Sequence, residues 1–260
     1  MRVLLIAPTN FQAYANAVLV ELLTNPQIHI VGVLVYKFNL NRFKLEFKRD
    51  GIRLFSKIIN KAILRENKSL KYNFDTPKNY LNKLGMKSNL KLICDSNNIL
   101  YKKVGSFNDS KLLFKLKNLK IDIGAFCGGG LLRNDFLNCF SFGVINCHMG
   151  ILPKYRGMDV VEWPFLLGDK KNVGITCHIM DSGVDTGDIL EIVHVDYSKF
   201  KNFIELREYL TSIMFKLMIN SINSITKGKF IKKRQLLSDG NQFFVMHPKL
   251  KEIAIKSFLR

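Results

Sequence analysis

Acid is scarce in this chain. Its 260 residues hold 21 Asp and Glu against 40 Lys and Arg, a formal net charge of +19. Such an excess leaves nucleic acid, an anionic membrane surface and phosphorylated small molecules open as partners. Lys, Asn, Ile and Phe are all plentiful, however, so general compositional drift accounts for much of the charge. No uninterrupted apolar run reaches the length of a membrane-spanning helix, which argues against a membrane span. The apolar start Met1–Ala7 stops at Pro8-Thr9-Asn10, too short for a signal peptide and better read as a first strand. Cysteine is sparse: Cys94, Cys127, Cys139, Cys147 and Cys177 show no paired spacing. That pattern excludes a recognisable zinc motif, leaves no metal expected, and suits reduced thiols in a cytoplasmic protein. A Gly-x-Gly-x-x-Gly turn is missing after the first strand, which counts against nicotinamide binding. Internal repeats and low-complexity segments are missing too.

What remains reads as alternating strands and helices. Arg2–Ala7 and His29–Tyr36 are strand-like, and the breaker-poor run Phe11–Leu23 between them is helix-like up to Asn25-Pro26. This βαβ start predicts an α/β fold with a doubly wound, mostly parallel sheet. Basic helices are expected over Asn39–Arg65. The segment Lys37–Lys71 is rich in Lys and Arg, with Phe38, Phe43, Phe47 and Phe55 interleaved. Helical spacing of apolar residues explains those aromatics more simply than a nucleic-acid grip does. Asn67–Lys91, broken by Pro77 and Gly85, reads as an extended polar insertion. Further strands are expected at Ile99–Val104, Ile121–Phe126, Phe142–Ile145, Val173–Met180 and Ile189–Asp196, with a short one at Phe243–Val245. Helices are expected at Ser110–Asn118, Asn134–Cys139, Asp159–Leu167 and Phe203–Ile225. The chain divides at about residue 200 into a catalytic domain, with an insertion at about 36–95, and a C-terminal helix with a short extension over 201–260.

The densest chemistry lies between Asn146 and Asp188. It opens with Asn146-Cys147-His148-Met149-Gly150-Ile151-Leu152-Pro153-Lys154-Tyr155-Arg156-Gly157 and closes with the glycine-bracketed Gly183-Val184-Asp185-Thr186-Gly187-Asp188. An acyl group passing to an amine goes through an oxyanion, which a side-chain amide such as Asn146 can stabilise. Protons must also move, and a histidine titrating near neutrality suits that task. A carboxylate such as Asp185 can orient the ring and stabilise its cation. On an extended backbone Asn146 and His148 share one face, and Cys147 points away into the core. His178 alternates within a strand and reads as a satisfied core or pocket histidine. Asp181 and Asp188 read as turn or capping carboxylates.

The composite pattern Asn-x-His, then Leu-Pro-x-x-Arg-Gly, then Asp-x-Gly resembles the folate-dependent formyltransferase family. Asn146, His148, Leu152, Pro153, Arg156, Gly157, Asp185 and Gly187 carry the match in order. The resemblance covers roughly residues 1–200 and is weak between about 36 and 95. It implies a Rossmann-like sheet of the formyltransferase type with a short C-terminal extension. It also implies 10-formyltetrahydrofolate as co-substrate, catalysis by Asn146, His148 and Asp185, and a homodimer. The loop Gly128-Gly129-Gly130-Leu131-Leu132 matches the family's pterin-holding loop, with Gly183 and Val184 contributing to the same cofactor site. Tyr155, Arg156, Gly157 and Glu162 are then candidates for the acceptor pocket, Arg156 either on a substrate phosphate or tying its loop to a carboxylate.

The acceptor is read from weaker signals. The Tyr155–Trp163 wording and Phe244-Val245-Met246-His247-Pro248 resemble the sugar-nucleotide branch. Methionyl-tRNA formyltransferases carry a C-terminal barrel that the last sixty or so residues do not suggest. Glycinamide ribonucleotide formyltransferases are more compact than this chain. The expected acceptor is thus a sugar nucleotide, dTDP-4-amino-4,6-dideoxyglucose first and the 3-amino isomer next, used for surface polysaccharide such as O-antigen. No stable nucleic-acid partner is expected. A non-catalytic nucleic-acid or partner-binding protein on the same fold is the alternative of another class.

Overall fold

The computed structural model describes residues 1–37 and 74–258. The basic helices expected over 39–65 lie outside the described residues. Among the described residues, seven strands form one sheet: β1 (Arg2–Ala7), β2 (His29–Tyr36), β3 (Tyr101–Val104), β4 (Ile121–Phe126), β5 (Phe140–His148), β7 (Gly174–Ile179) and β8 (Ile189–His194). Their order is β3-β2-β1-β4-β5-β7-β8. The first five run parallel, and β7 and β8 close the edge antiparallel. This is the doubly wound, mostly parallel α/β sheet that the sequence predicts. A separate pair joins β6 (Tyr155–Gly157) to β9 (Asn241–Phe243).

The centre of the sheet is apolar on both faces because helices cover both. Val3, Leu5 and Ala7 of β1 belong to the core shared with α1 (Ala13–Leu23) and the long C-terminal helix α7 (Phe203–Thr226). Leu4 and Ile6 point the other way, into a second core with α4 (Ser110–Lys117) and α5 (Asn134–Leu137). Side chains cap the starts of α4 and α7. Asp109 accepts from the Leu112 N–H at 3.0 Å, and Asn202 from the Glu205 N–H at 2.9 Å.

Two stretches differ from the sequence reading. The described part of 67–91, from Phe74, is not extended: it begins α2 (Pro77–Lys83), and α3 (Leu90–Ser96) follows. Pro77 opens α2 rather than breaking it, because a first-turn proline forfeits no helical hydrogen bond. Thr76 and Asn89 cap the two helices. The helix expected over Asp159–Leu167 shrinks to α6 (Trp163–Leu166). Asp159 sits at φ +52°, outside helical geometry, and its carboxylate accepts from the Met246 N–H and Lys251.

The tail after α7 returns to the body. β9 pairs with β6, and α8 (Pro248–Ser257) packs on α6. Phe165 is the hub of this closure: buried, it meets the rings of Tyr197, Phe203 and Phe258. We expect Phe165→Ala to lower unfolding free energy by about 3–5 kcal/mol in urea denaturation, as for other buried aromatic truncations. A loss under about 1 kcal/mol would show that α8 and α7 do not depend on this ring.

Candidate active site

Three strands meet at the level of Asn146. Phe126 of β4 lies beside it on one side and His178 of β7 on the other. The β5–β7 register pairs Asn146 with His178 and His148 with Thr176, so all four share one face of the sheet. Cys147 and Cys177, the intervening pair, face the opposite core. Burial pushes the Cys147 thiol well above its ordinary range, so it is a core thiol and not a nucleophile.

Asp185 completes the cluster from the loop between β7 and β8. One carboxylate oxygen, Oδ2, lies 3.4 Å from His148 Nδ1 and accepts the Gly157 N–H at 2.9 Å. The other, Oδ1, lies 3.5 Å from His178 Nε2. The residue adopts φ +53°, uncommon for a non-glycine. Its loop is pinned from two directions. Asp181 accepts from the Gly183 N–H and from Thr186, the turn role expected of it. Gln235 of the tail donates to the carbonyls of Asp185 and Gly187.

The hydrogen bonds set the tautomers. His148 Nε2–H donates to the Tyr155 carbonyl at 2.9 Å, leaving Nδ1 toward Asp185. Gly150 makes that contact possible, since a Cβ there would stand 2.8 Å from His148 Nε2. His178 Nδ1–H donates to the Ile179 carbonyl, so Nε2 accepts from the Asn146 amide at 3.3 Å. A continuous chain thus runs Asn146, His178, Asp185, His148, Tyr155. His178 is the member that sequence reasoning set aside. Its signal emerges only once β7 is paired with β5, because that register is what sets it opposite Asn146.

Burial lowers the pKa of His148 below the usual histidine range, although Asp185 and the Tyr155 carbonyl pull it up. The expectation that Asp185 raises basicity therefore holds for that pair, while desolvation outweighs it. Burial would raise the Asp185 carboxyl, but the neighbouring imidazoles of His178 and His148 and the Gly157 N–H hold it down at about 2.

The remaining candidates divide. The loop at Gly128–Leu132 leaves β4 just beyond the residue that pairs with Asn146. Asn108 braces it, donating to the Leu131 carbonyl and accepting from the Arg133 N–H. Gly129 packs against Phe107, whose ring a Cβ would approach to 2.8 Å, so packing already requires that glycine. Leu132 is buried, while Leu131 and Val184 are exposed. Three acceptor candidates turn their side chains to other partners. Arg156 is buried and donates to the carbonyls of Leu237 and Gly240 in the tail, with no carboxylate partner among the described residues. Glu162 is fully buried between Arg207 and Lys251, each 2.8 Å away. The Tyr155 side chain is buried, bonded to Asp169 and stacked on Phe243. Only the Tyr155 carbonyl and the Gly157 N–H reach the histidine–carboxylate cluster. Hollows of about 980 Å³ beside Lys170 and about 520 Å³ beside Ser221 have none of the cluster in their walls, so chemistry rather than concavity marks the site.

A family model described as formyl transferase matches residues 55–202, more than half of the chain, and the chain belongs to this family. A methionyl-tRNA formyltransferase of Clostridium novyi (strain NT) is 34% identical over 163 residues, covering 62% of this chain and 52% of that protein. The chain thus spans about half the length of the curated relatives it matches; another, from Clostridium beijerinckii, is 33% identical over 146 residues, 56% of this chain and 46% of its own. In fold the chain is similar to a sugar N-formyltransferase of a Shewanella species, with TM-score 0.59 and 14% identity, covering 100% of this chain and 88% of that one. It is also similar to an N-formyltransferase of Helicobacter canadensis solved with folinic acid and dTDP-3-aminofucose, with TM-score 0.58 and 17% identity, covering 100% and 81%. A phosphoribosylglycinamide formyltransferase of Bacillus halodurans gives TM-score 0.57 at 14% identity, covering 88% and 97%.

The geometry makes a titration prediction. His148 binds its proton more weakly folded than unfolded, so it adds stability above the unfolded pKa of about 6.5 that is lost as pH falls through the lower folded value. By NMR the His148 ring should titrate below about 6.5, and lower still in Asp185→Asn, which removes the carboxylate that pulls it up. A midpoint at or above the ordinary value would refute the assignment.

Proposed function

We propose that the chain is an N-formyltransferase that moves the formyl group of 10-formyltetrahydrofolate to the amine of a nucleotide-linked amino sugar. The first acceptor to test is dTDP-4-amino-4,6-dideoxyglucose. The observation that carries the sugar reading is a junction. The two segments resembling the sugar-nucleotide branch, Tyr155–Trp163 and Phe244–Pro248, are far apart in sequence yet join in space. Gly157 pairs with Phe243, the Trp163 indole N–H donates to the Phe244 carbonyl, and Asp159 accepts from the Met246 N–H. The likeness in fold to the Shewanella structure also spans this tail.

In this reading the acceptor amine attacks the formyl carbon, and Asn146 donates to the oxygen that gains charge. One Asn146 N–H is committed to His178, so the other is aimed by it. His148 takes up the proton at Nδ1, through a water, and Asp185 stabilises the imidazolium beside it. Proton uptake turns a lone pair facing a carboxylate into an ion pair, which gives Asp185 its role in the reaction. The same proton goes on to the departing folate nitrogen. The Gly128–Leu132 loop, with Gly183 and Val184, holds the folate: it leaves the sheet next to Asn146 and presents Leu131 and Val184 to solvent. A methionyl-tRNA acceptor is the second reading, favoured by the 34% identity to the Clostridium novyi enzyme.

Assay with 10-formyltetrahydrofolate against the 4-amino and 3-amino sugar nucleotides and methionyl-tRNA decides between them. A formamido sugar is the expected product. Formylated methionyl-tRNA alone would transfer the assignment to the second reading. His148→Asn should cut turnover by about 10²–10⁴-fold while folate affinity stays near wild type. Undiminished turnover would remove His148 from the chemistry.

A further inference from the structure

The hollow of about 980 Å³ is large enough for a small ligand, and its charge says which kind. Lys170 and Lys171 line it together with His194 and Tyr197. Neither ammonium has a carboxylate partner among the described residues; Lys170 lies 5.3 Å over the Tyr197 ring. Both carboxylates on the rim are committed elsewhere. Asp169 accepts from Lys154 at 2.7 Å, from the Tyr155 hydroxyl at 2.7 Å and from Asn172 at 2.8 and 2.9 Å. Asp196 accepts from the Ser198 N–H and hydroxyl and faces Lys199. The hollow therefore presents two uncompensated positive charges and an imidazole. Its aromatic ring offers little to a base: Lys170 covers it, and Phe165 and Phe258 pack edgewise against it.

We propose that this hollow binds a diphosphate group, and that its occupancy is relayed to His148. Two ammonium groups lining one hollow match an anion whose charge is spread over two phosphorus centres better than a single carboxylate. The relay consists of bonds already described. Asp169 in the wall accepts the Tyr155 hydroxyl, and the Tyr155 carbonyl accepts His148 Nε2–H. A diphosphate on Lys170 and Lys171 places negative charge beside Asp169 and alters the hold on Tyr155. Binding here is independent of the acceptor reading; the relay rests on His148 belonging to the reacting cluster, and neither readout below requires turnover.

The test is calorimetric titration of the whole chain with inorganic pyrophosphate, and separately with ADP, at about 150 mM salt so that diffuse attraction is screened. Lys170→Ala/Lys171→Ala should weaken pyrophosphate at least about tenfold. Lys111→Ala/Lys115→Ala on α4, which removes the same charge elsewhere, should leave it within about twofold. ADP should lose affinity in the first double variant to the same degree as pyrophosphate, since the base is not read. The NMR resonance of the His148 ring should move with pyrophosphate in wild type and stand still in Lys170→Ala/Lys171→Ala. Equal weakening in both double variants would reduce the effect to the chain's net charge and overturn the site. Pyrophosphate binding that depends on Lys170 and Lys171 without movement at His148 would overturn the relay.

Discussion

The antiparallel pairing of β5 with β7 is the constraint on which the site depends. Side chains alternate across a strand, so one register puts Asn146, His148, Thr176 and His178 on the same face, and a slip of one residue in β7 would turn Thr176 and His178 to the opposite face, away from Asn146 and His148. The register is held from both sides. Cys147 and Cys177 fill the opposite face against α1 and α7, while Thr176 bonds the Gly150 carbonyl and the Leu152 N–H. With the face set, Asp185 has two imidazoles to bridge, and its carboxylate stays ionised although the position is largely buried.

The C-terminal tail belongs to the site's support. Arg156 and Glu162 read from sequence as pocket residues because they follow the Asn-x-His motif closely. In the fold they are fasteners: Arg156 holds the carbonyls of Leu237 and Gly240, and Glu162 pairs with Arg207 and Lys251. Gln235 grips the Asp185 loop from the same tail. A buried charge needs partners wherever they come from, and here they come from distant parts of the chain, as Lys251 does for Glu162. Membership of the formyl transferase family is consistent with this division, since its model covers the motif region and ends at residue 202, before the tail.

Much of the fold was legible. β1, β2 and β4 have the boundaries expected of them, because apolar runs bounded by Pro8, Asn25-Pro26 and Gly128 leave little freedom. α2 and the short α6 were not, for local reasons that only geometry reveals. Pro77 could open a helix or break one, and Asp159 leaves helical geometry to reach Met246 and Lys251. Asn146, His148 and Asp185 were legible as a motif, and the structure brings them together. His178 was not, because an alternating histidine in a strand has no partner until the neighbouring strand and its register are known.

The sequence by itself determined the sheet's inner strands, the parallel α/β architecture and the residue types gathered between Asn146 and Asp185. Those follow from local propensity and spacing, which act over a few residues. Tertiary structure alone decided which nitrogen of each histidine carries its proton, that burial outweighs Asp185 at His148, and that Arg156 and Glu162 serve the tail. Hydrogen-bond partners and desolvation are properties of the packed interior, and no spacing along the chain encodes them.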